Sequence, residues 1–170
     1  MRSLHGDELP ASPLFGGVNQ ADWAVLLASA GRLDLAAGEP VFIQGGPADS
    51  FYAVLAGTVE VRMSSPYAKE RVLAHLGVGT VLGETSLFLG GQHTVSIYTT
   101  EPCTLMRFPT GAFMDLIEQK QTGAIRVLYN MGHALALRLR TSNEQLGETA
   151  RIGASAMVRN DGGRQQRFLR

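Results

Sequence analysis

Between Leu33 and Phe108 apolar residues recur in short runs, and glycine ends most of them. Leu33-Asp34-Leu35 leads into the turn Ala37-Gly38-Glu39-Pro40, and Val41-Phe42-Ile43 leads into Gln44-Gly45-Gly46-Pro47. Phe51 to Leu55 makes the next run. Ala56-Gly57 turns it into Thr58-Val59-Glu60-Val61-Arg62-Met63, where apolar and polar residues alternate with the period of two that places every second side chain on one face of a strand. After a loop over residues 64–69, Arg71 to Leu76 returns, and Thr94 to Tyr98 alternates again. Many short strands punctuated by glycine predict an antiparallel sandwich or double-sheet roll, not a parallel α/β sheet. The order of the strands is not contained in this pattern.

Helical patterning brackets the strands. Asn19 is a capping residue, Asp22 lies in the first turn that would follow it, and Trp23, Leu26 and Leu27 form one apolar face, so a short helix is predicted to stop near Gly31. Past Pro109, Thr110 is placed to cap a second short helix reaching Ile117. A long helix is predicted over residues 122–147. Along it Ile125, Leu128, Gly132, Leu135, Leu139 and Leu146 fall at spacings of three and four, with Ser142 in the remaining seam position. Val127, Ala134 and Leu137 add apolar surface beyond that seam. A helix apolar on more than one side has two things to pack against, and a second copy of the chain is the expected second partner. The pattern divides the chain into a polar arm over residues 1–13, a β-roll over 14–121, a dimerisation helix over 122–147 and a disordered basic tail over 148–170, where the last twenty residues hold five arginines and one aspartate.

Composition narrows the function. A 170-residue chain that is 45% hydrophobic and 18% charged is long enough to bury a core. Lys+Arg and Asp+Glu balance at 15 each, which argues against a chain built to coat nucleic acid or an anionic membrane. The single cysteine, Cys103, excludes an internal disulfide framework and a cysteine-cluster metal site, and its apolar setting reads as a buried strand position. The four histidines are scattered without ligand-type spacing, so no metal site is expected. Neither a secretory leader nor a run of about 18 apolar residues occurs, and a soluble, cytoplasmic protein is expected.

The stretch with chemical content runs from Leu76 to Tyr98. Glycines at 77 and 79 precede Gly83-Glu84-Thr85-Ser86-Leu87-Phe88, a bend able to open into one helical turn, and Gly90-Gly91 follows. Such a bend turns consecutive backbone N–H groups toward one spot with the Glu84 carboxylate beside it, an arrangement suited to an anion and a hydroxyl. No positioned base accompanies Ser86, and no acid–base pair or nucleophile constellation is present, so a non-catalytic protein is expected.

Three blocks together resemble the cyclic-nucleotide-binding domain of catabolite-activator-type regulators, protein kinase A regulatory subunits and cyclic-nucleotide-gated channels. They are Gly38-Glu39-Pro40-Val41-Phe42-Ile43-Gln44-Gly45, Phe51 to Val61, and Leu76 to Leu87. The resemblance implies an eight-stranded double-sheet jelly roll, mainly β, with an N-terminal helix and a long C-terminal helix. It implies a phosphate-binding cassette over residues 83–97, with Glu84 accepting a ribose hydroxyl and with Gly83, Thr85 and Ser86 in the amide cradle. Cyclic AMP or cyclic GMP is the implied ligand. Ligand-site candidates are therefore Gly83, Glu84, Thr85, Ser86, His93, Thr94 and Val95.

Two departures stand out. The cassette arginine of the family is missing. An ungapped alignment puts His93 in its place, and a loop longer by one residue puts Thr94 there. Neither supplies a permanent, bidentate cation. This leaves weak or pH-sensitive nucleotide binding, a different ligand, or a roll without ligand. Secondly, about 23 residues follow Gly147, too few for the helix-turn-helix of the transcriptional members, so a stand-alone domain without specific DNA binding is expected. The expected role is a regulatory effector domain that senses a small nucleotide-like ligand and signals through a protein partner. The alternative is a ligand-free dimeric adaptor.

Overall fold

The structure, a computed structural model, describes residues 9, 10, 12–65 and 68–164. The arm expected over residues 1–13 and the last six residues of the chain fall mostly or wholly outside that range. Side chains at 68, 86, 145, 146 and 148–164 also lie outside the description.

Among the described residues, eight strands form two four-stranded antiparallel sheets. They are β1 (Gly31–Leu35), β2 (Pro40–Phe42), β3 (Ser50–Ala56), β4 (Val59–Ser65), β5 (Ala68–Leu76), β6 (Val81–Leu82), β7 (Ser96–Thr99) and β8 (Cys103–Pro109). One sheet has the order β1-β8-β3-β6 and the other β2-β7-β4-β5. The chain crosses between the sheets at every step except β4 to β5, which pair in one sheet; this is the jelly roll that the resemblance implied, and its order only the pairing reveals.

Strands β3 and β8 sit in the middle of the first sheet, with Phe51 opposite Phe108 and Val54 opposite Leu105. Both faces are covered. On one face Phe51, Ala53, Met106 and Phe108 join Trp23, Phe113, Ala124, Val127 and Met131 of the helices. On the other, Tyr52, Val54, Cys103 and Leu105 meet Val59 and Ile97 of the second sheet. Two-sided burial explains why Phe51 to Leu55 reads as an apolar run without alternation. Cys103 is buried there, and desolvation holds its thiol above the ordinary range.

The helices are α1 (Gln20–Ser29), α2 (Thr85–Leu89), α3 (Thr110–Glu118) and α4 (Thr122–Arg164). Asn19 caps α1 as expected, its side chain accepting from the Asp22 N–H at 2.9 Å. The expected Thr110 cap does not form. Pro109 occupies that position without a side-chain bond, and the buried Thr110 Oγ1 has no hydrogen-bond partner among the described residues. A 3₁₀ turn over Pro13–Phe15, unmarked in the sequence pattern, buries Leu14 and Phe15 and sets Phe15 edge-on to Trp23 at 4.8 Å. Asn130 of α4 ties this turn down, donating to the carbonyls of Leu14 at 2.8 Å and Gly16 at 2.9 Å.

The chain divides into a unit through Met131 and a unit from Gly132. Helix α4 continues past Gly147 to Arg164, so residues 148–164 are helical where disorder was expected. The stretch has no proline, and its alanines, arginines and methionine are good helix formers. Isolated glycines cost only about 1 kcal/mol each against alanine. No helix among the described residues is long and apolar enough to cross a membrane.

Gly57 turns β3 into β4 at φ +85°, and a Cβ there would lie 2.5 Å from Cys103 Sγ and 2.6 Å from the Pro102 carbonyl oxygen. Gly57→Ala is expected to destabilise the roll by more than about 2 kcal/mol, from positive-φ strain and overpacking together. Urea denaturation measures it. Cys103→Ala in the same chain should recover only part of the loss, because the carbonyl clash is backbone.

Candidate functional site

The cassette is held at both ends. At its entry β6 pairs with β3, Leu82 opposite Tyr52, and delivers Gly83. That residue has φ +70°, and a Cβ would approach the Ser50 carbonyl oxygen to 3.1 Å and the rings of His93 and Phe42 to 3.5 Å. Both the backbone angle and the close approach require glycine here. The chain then opens into α2, whose first turn closes with the Leu87 N–H donating to the Glu84 carbonyl at 3.1 Å. Leu87 packs against the helix-side core and fixes the turn.

At its exit the cassette is laced to the loop between β2 and β3. The Ala48 N–H donates to the Gly91 carbonyl at 3.1 Å, the His93 N–H to Gly46 at 2.9 Å, and the Gly45 N–H to the His93 carbonyl at 2.8 Å. Gly90 and Gly91 both have positive φ, which gives this return its tight path. Ser96 is buried, and its Oγ accepts from the Gln44 N–H at 2.9 Å.

The seven candidate residues fall on different sides of this segment. Gly83 and Glu84 are half-buried at the entry, Thr85 is exposed at the start of α2, and Thr94 is exposed at the exit. Val95 packs on the inter-sheet core. Ser86 lies in α2, its side chain outside the described residues. His93 turns inward. It is 7% exposed, and its imidazole stacks on the Phe42 ring at a centroid separation of 3.8 Å and an interplanar angle of 12°. Burial pushes its pKa below the ordinary value, and the Asp49 carboxylate opposes that only in part. The stacked pair stands against the entry, each ring 3.5 Å from where a Cβ at Gly83 would lie.

Three arginines of the roll are held by carboxylates. Arg62 pairs with Glu60 and Glu70 and lies 4.3 Å over the Tyr98 ring. Arg107 donates to Ser50 Oγ at 2.9 Å and to Asp49 at 3.3 Å, and Arg32 pairs with Asp34 at 2.8 Å. Asp49 is held below the usual carboxylate range, first by the Ser50 hydroxyl and also by Arg107.

Phe42 packs against the inter-sheet core and forms half of the histidine stack, and Phe88 is 49% exposed on α2. The Phe42–His93 pair lies 51 residues apart in the chain, and nothing in local spacing could have announced it. Asn130 on α4 is engaged with the 3₁₀ turn, and His133 is exposed. Among the described residues no group of three His, Cys, Asp or Glu side chains is placed to hold a metal ion.

Comparison with known proteins agrees with this architecture. The chain is 30% identical over 138 residues to the cyclic AMP receptor protein of Thermus thermophilus, covering 81% of this chain and 62% of that protein. It therefore spans less than two thirds of that relative's length. The crystal structure of the N-terminal domain of a transcriptional regulator from Streptomyces coelicolor superposes with a TM-score of 0.63 at 30% identity, covering 79% of this chain and 93% of that one. The c-di-GMP responsive global regulator CLP of Xanthomonas campestris superposes with a TM-score of 0.63 at 28% identity, covering 71% and 59%. Residues 32–120, more than half of the sequence, match the family described as cyclic nucleotide-binding domain. The chain belongs to the cyclic nucleotide-binding domain family.

Proposed function

We propose that this chain is a non-catalytic regulatory domain that senses a small nucleotide-like ligand at residues 83–95 and signals through a protein partner. The observation that carries this reading is the cassette itself. Gly83 is confined to glycine by its φ and by the Ser50 carbonyl, and Glu84 is set beside it at the start of a helical turn. A segment tied down at entry and exit holds Glu84 next to the start of the helical turn, and a carboxylate there suits a ribose hydroxyl. The relatives named for cyclic AMP and c-di-GMP support a nucleotide-like ligand without choosing one.

Signal output is assigned to α4. Its Ala124, Val127 and Met131 are buried in the core, while Ile125 is 45% and Leu139 64% exposed. The exposure of seam position Ile125 beside the buried Ala124 and Val127 favours a homodimer through residues 122–147. Binding would act by shifting the populations available to that helix. The adaptor reading draws support from His93, whose inward stack removes a cation from the cassette.

Titration calorimetry with cyclic AMP and cyclic GMP tests the ligand reading. Binding is expected to be weak, and Glu84→Gln should lower affinity by about tenfold, the worth of one charge-assisted hydrogen bond. Equal heats from wild type and variant would refute the role of Glu84.

His93 sets a pH dependence with a definite sign. Its folded pKa lies below the ordinary value near 6.5, so the unfolded chain takes up a proton that the folded chain refuses. Stability present above about pH 6.5 is lost as pH falls from there through the lower folded pKa. His93→Phe keeps the stack and should flatten the slope of the urea midpoint between about pH 7.5 and pH 5. Affinity for cyclic AMP should not rise on acidification, as it would if an imidazolium faced the phosphate.

For the dimer, Ile125→Glu with Leu139→Glu is expected to shift the chain to a monomer in sedimentation velocity, with the strand signal in circular dichroism unchanged.

A further inference from the structure

The two sheets present four edge strands, β1 and β6 on one and β2 and β5 on the other. An edge exposes backbone N–H and C=O groups that another strand can use, and proteins blunt it by shortness, proline or charge. Three of the four edges are blunted in these ways. β6 has two residues, β2 has three and begins at Pro40, and β1 carries the exposed Arg32–Asp34 ion pair at 2.8 Å. β5 differs. It runs nine residues from Ala68 to Leu76, contains no proline, and among the described residues pairs with β4 alone.

The middle of β5 is apolar and open. Val72 is 50% and Leu73 52% exposed, and Met63, opposite Arg71 on β4, is 41% exposed. The register passes over Leu73, since Val61 faces Ala74 and Arg62 faces Val72. Such a bulge breaks the alternation of faces, which accounts for two successive apolar side chains standing open. The charge along the strand is basic. β5 holds Lys69 and Arg71, both exposed, against one acid, Glu70, whose carboxylate is already engaged by Arg62 at 3.4 Å and by the Ser64 hydroxyl at 3.3 Å. The hairpin that presents β5 is also fastened beside the cassette exit. The Gln44 side chain accepts from the Ser64 N–H at 2.9 Å and donates to the Ser64 carbonyl at 3.1 Å, while the Gln44 N–H donates to Ser96 Oγ at 2.9 Å.

We propose that β5 is a docking edge for an extended acidic segment of a partner protein, which adds to the second sheet as a further strand. Its backbone pairs along the open side of β5, its apolar residues cover Val72, Leu73 and Met63, and its carboxylates face Lys69 and Arg71. This rests on the reading of the chain as one that signals through a protein partner, and it names the surface and the chemistry of that partner. The surplus of positive charge disfavours a second copy of β5 as the occupant.

The test uses two labelled, end-capped peptides of about seven residues, one alternating valine with glutamate and the other valine with lysine, titrated by fluorescence anisotropy. The acidic peptide is expected to bind at least about tenfold more tightly than the basic one at about 0.15 M salt. Lys69→Glu with Arg71→Glu should reverse that order, a result that loss of folding cannot produce. N-methylation of alternate residues of the acidic peptide should abolish binding in one phase and spare it in the other, because only one side of an added strand pairs with β5. Amide hydrogen exchange over residues 68–76 should slow when the acidic peptide is bound. Absence of binding at millimolar peptide, equal binding of the two peptides, or tolerance of both N-methylated forms overturns the docking edge and leaves the ligand reading of residues 83–95 standing. Protection of β5 that rises with protein concentration in the absence of peptide assigns the edge to a second copy and overturns the proposal as well.

Discussion

Phe51 stacks on Phe108 with ring centroids 4.9 Å apart and planes 10° from parallel, across the central strand pair of the first sheet. Most of the first unit depends on that contact. One strand pair is buried on both faces, so it must serve two cores at once: helices on one side, the second sheet on the other. Phe113 closes edge-on to Phe51 at 5.0 Å, while Tyr52 and Val54, one residue along, point to the opposite core. Any shift of register by one residue would exchange the two sets, which is why the pairing has little freedom.

The cassette takes its position from the same strand. β6 is only two residues long, and it pairs with Tyr52 and Ala53. Its placement brings Gly83 against the Ser50 carbonyl, where a Cβ would come within 3.1 Å of the oxygen at a backbone angle that favours glycine. The return strand is fastened to the β2–β3 loop by backbone bonds that do not depend on side-chain identity. With both ends fixed by the backbone, the side chains at 84, 85, 93 and 94 can vary without loss of the bend. His93 has gone into structure, filling space beside Phe42, and the permanent charge left in the segment is that of Glu84.

Much of this was legible before the structure. The antiparallel roll followed from glycine-ended runs, and Asn19 capped α1 through Asp22 because the cap is a local event within four residues. Cys103 fell where an apolar neighbourhood put it. Thr110 failed as a cap for an equally local reason, since Pro109 already set the extended backbone at that position. The sequence reading ended α4 at Gly147 and took the basic stretch after it as disordered, whereas the helix runs to Arg164.

What the sequence by itself determined are the features whose causes lie within a few residues: strand runs, turns, the first helix cap, and a bend at Gly83 with a carboxylate after it. The tertiary structure decided what depends on residues far apart in the chain. It set the order β1-β8-β3-β6, the tie of Asn130 to the Leu14 and Gly16 carbonyls, and the inward turn of His93 onto Phe42. Local spacing says nothing about which buried space remains unfilled once the sheets have closed. A histidine in such a motif reads as a candidate cation until a phenylalanine 51 residues earlier presents its face.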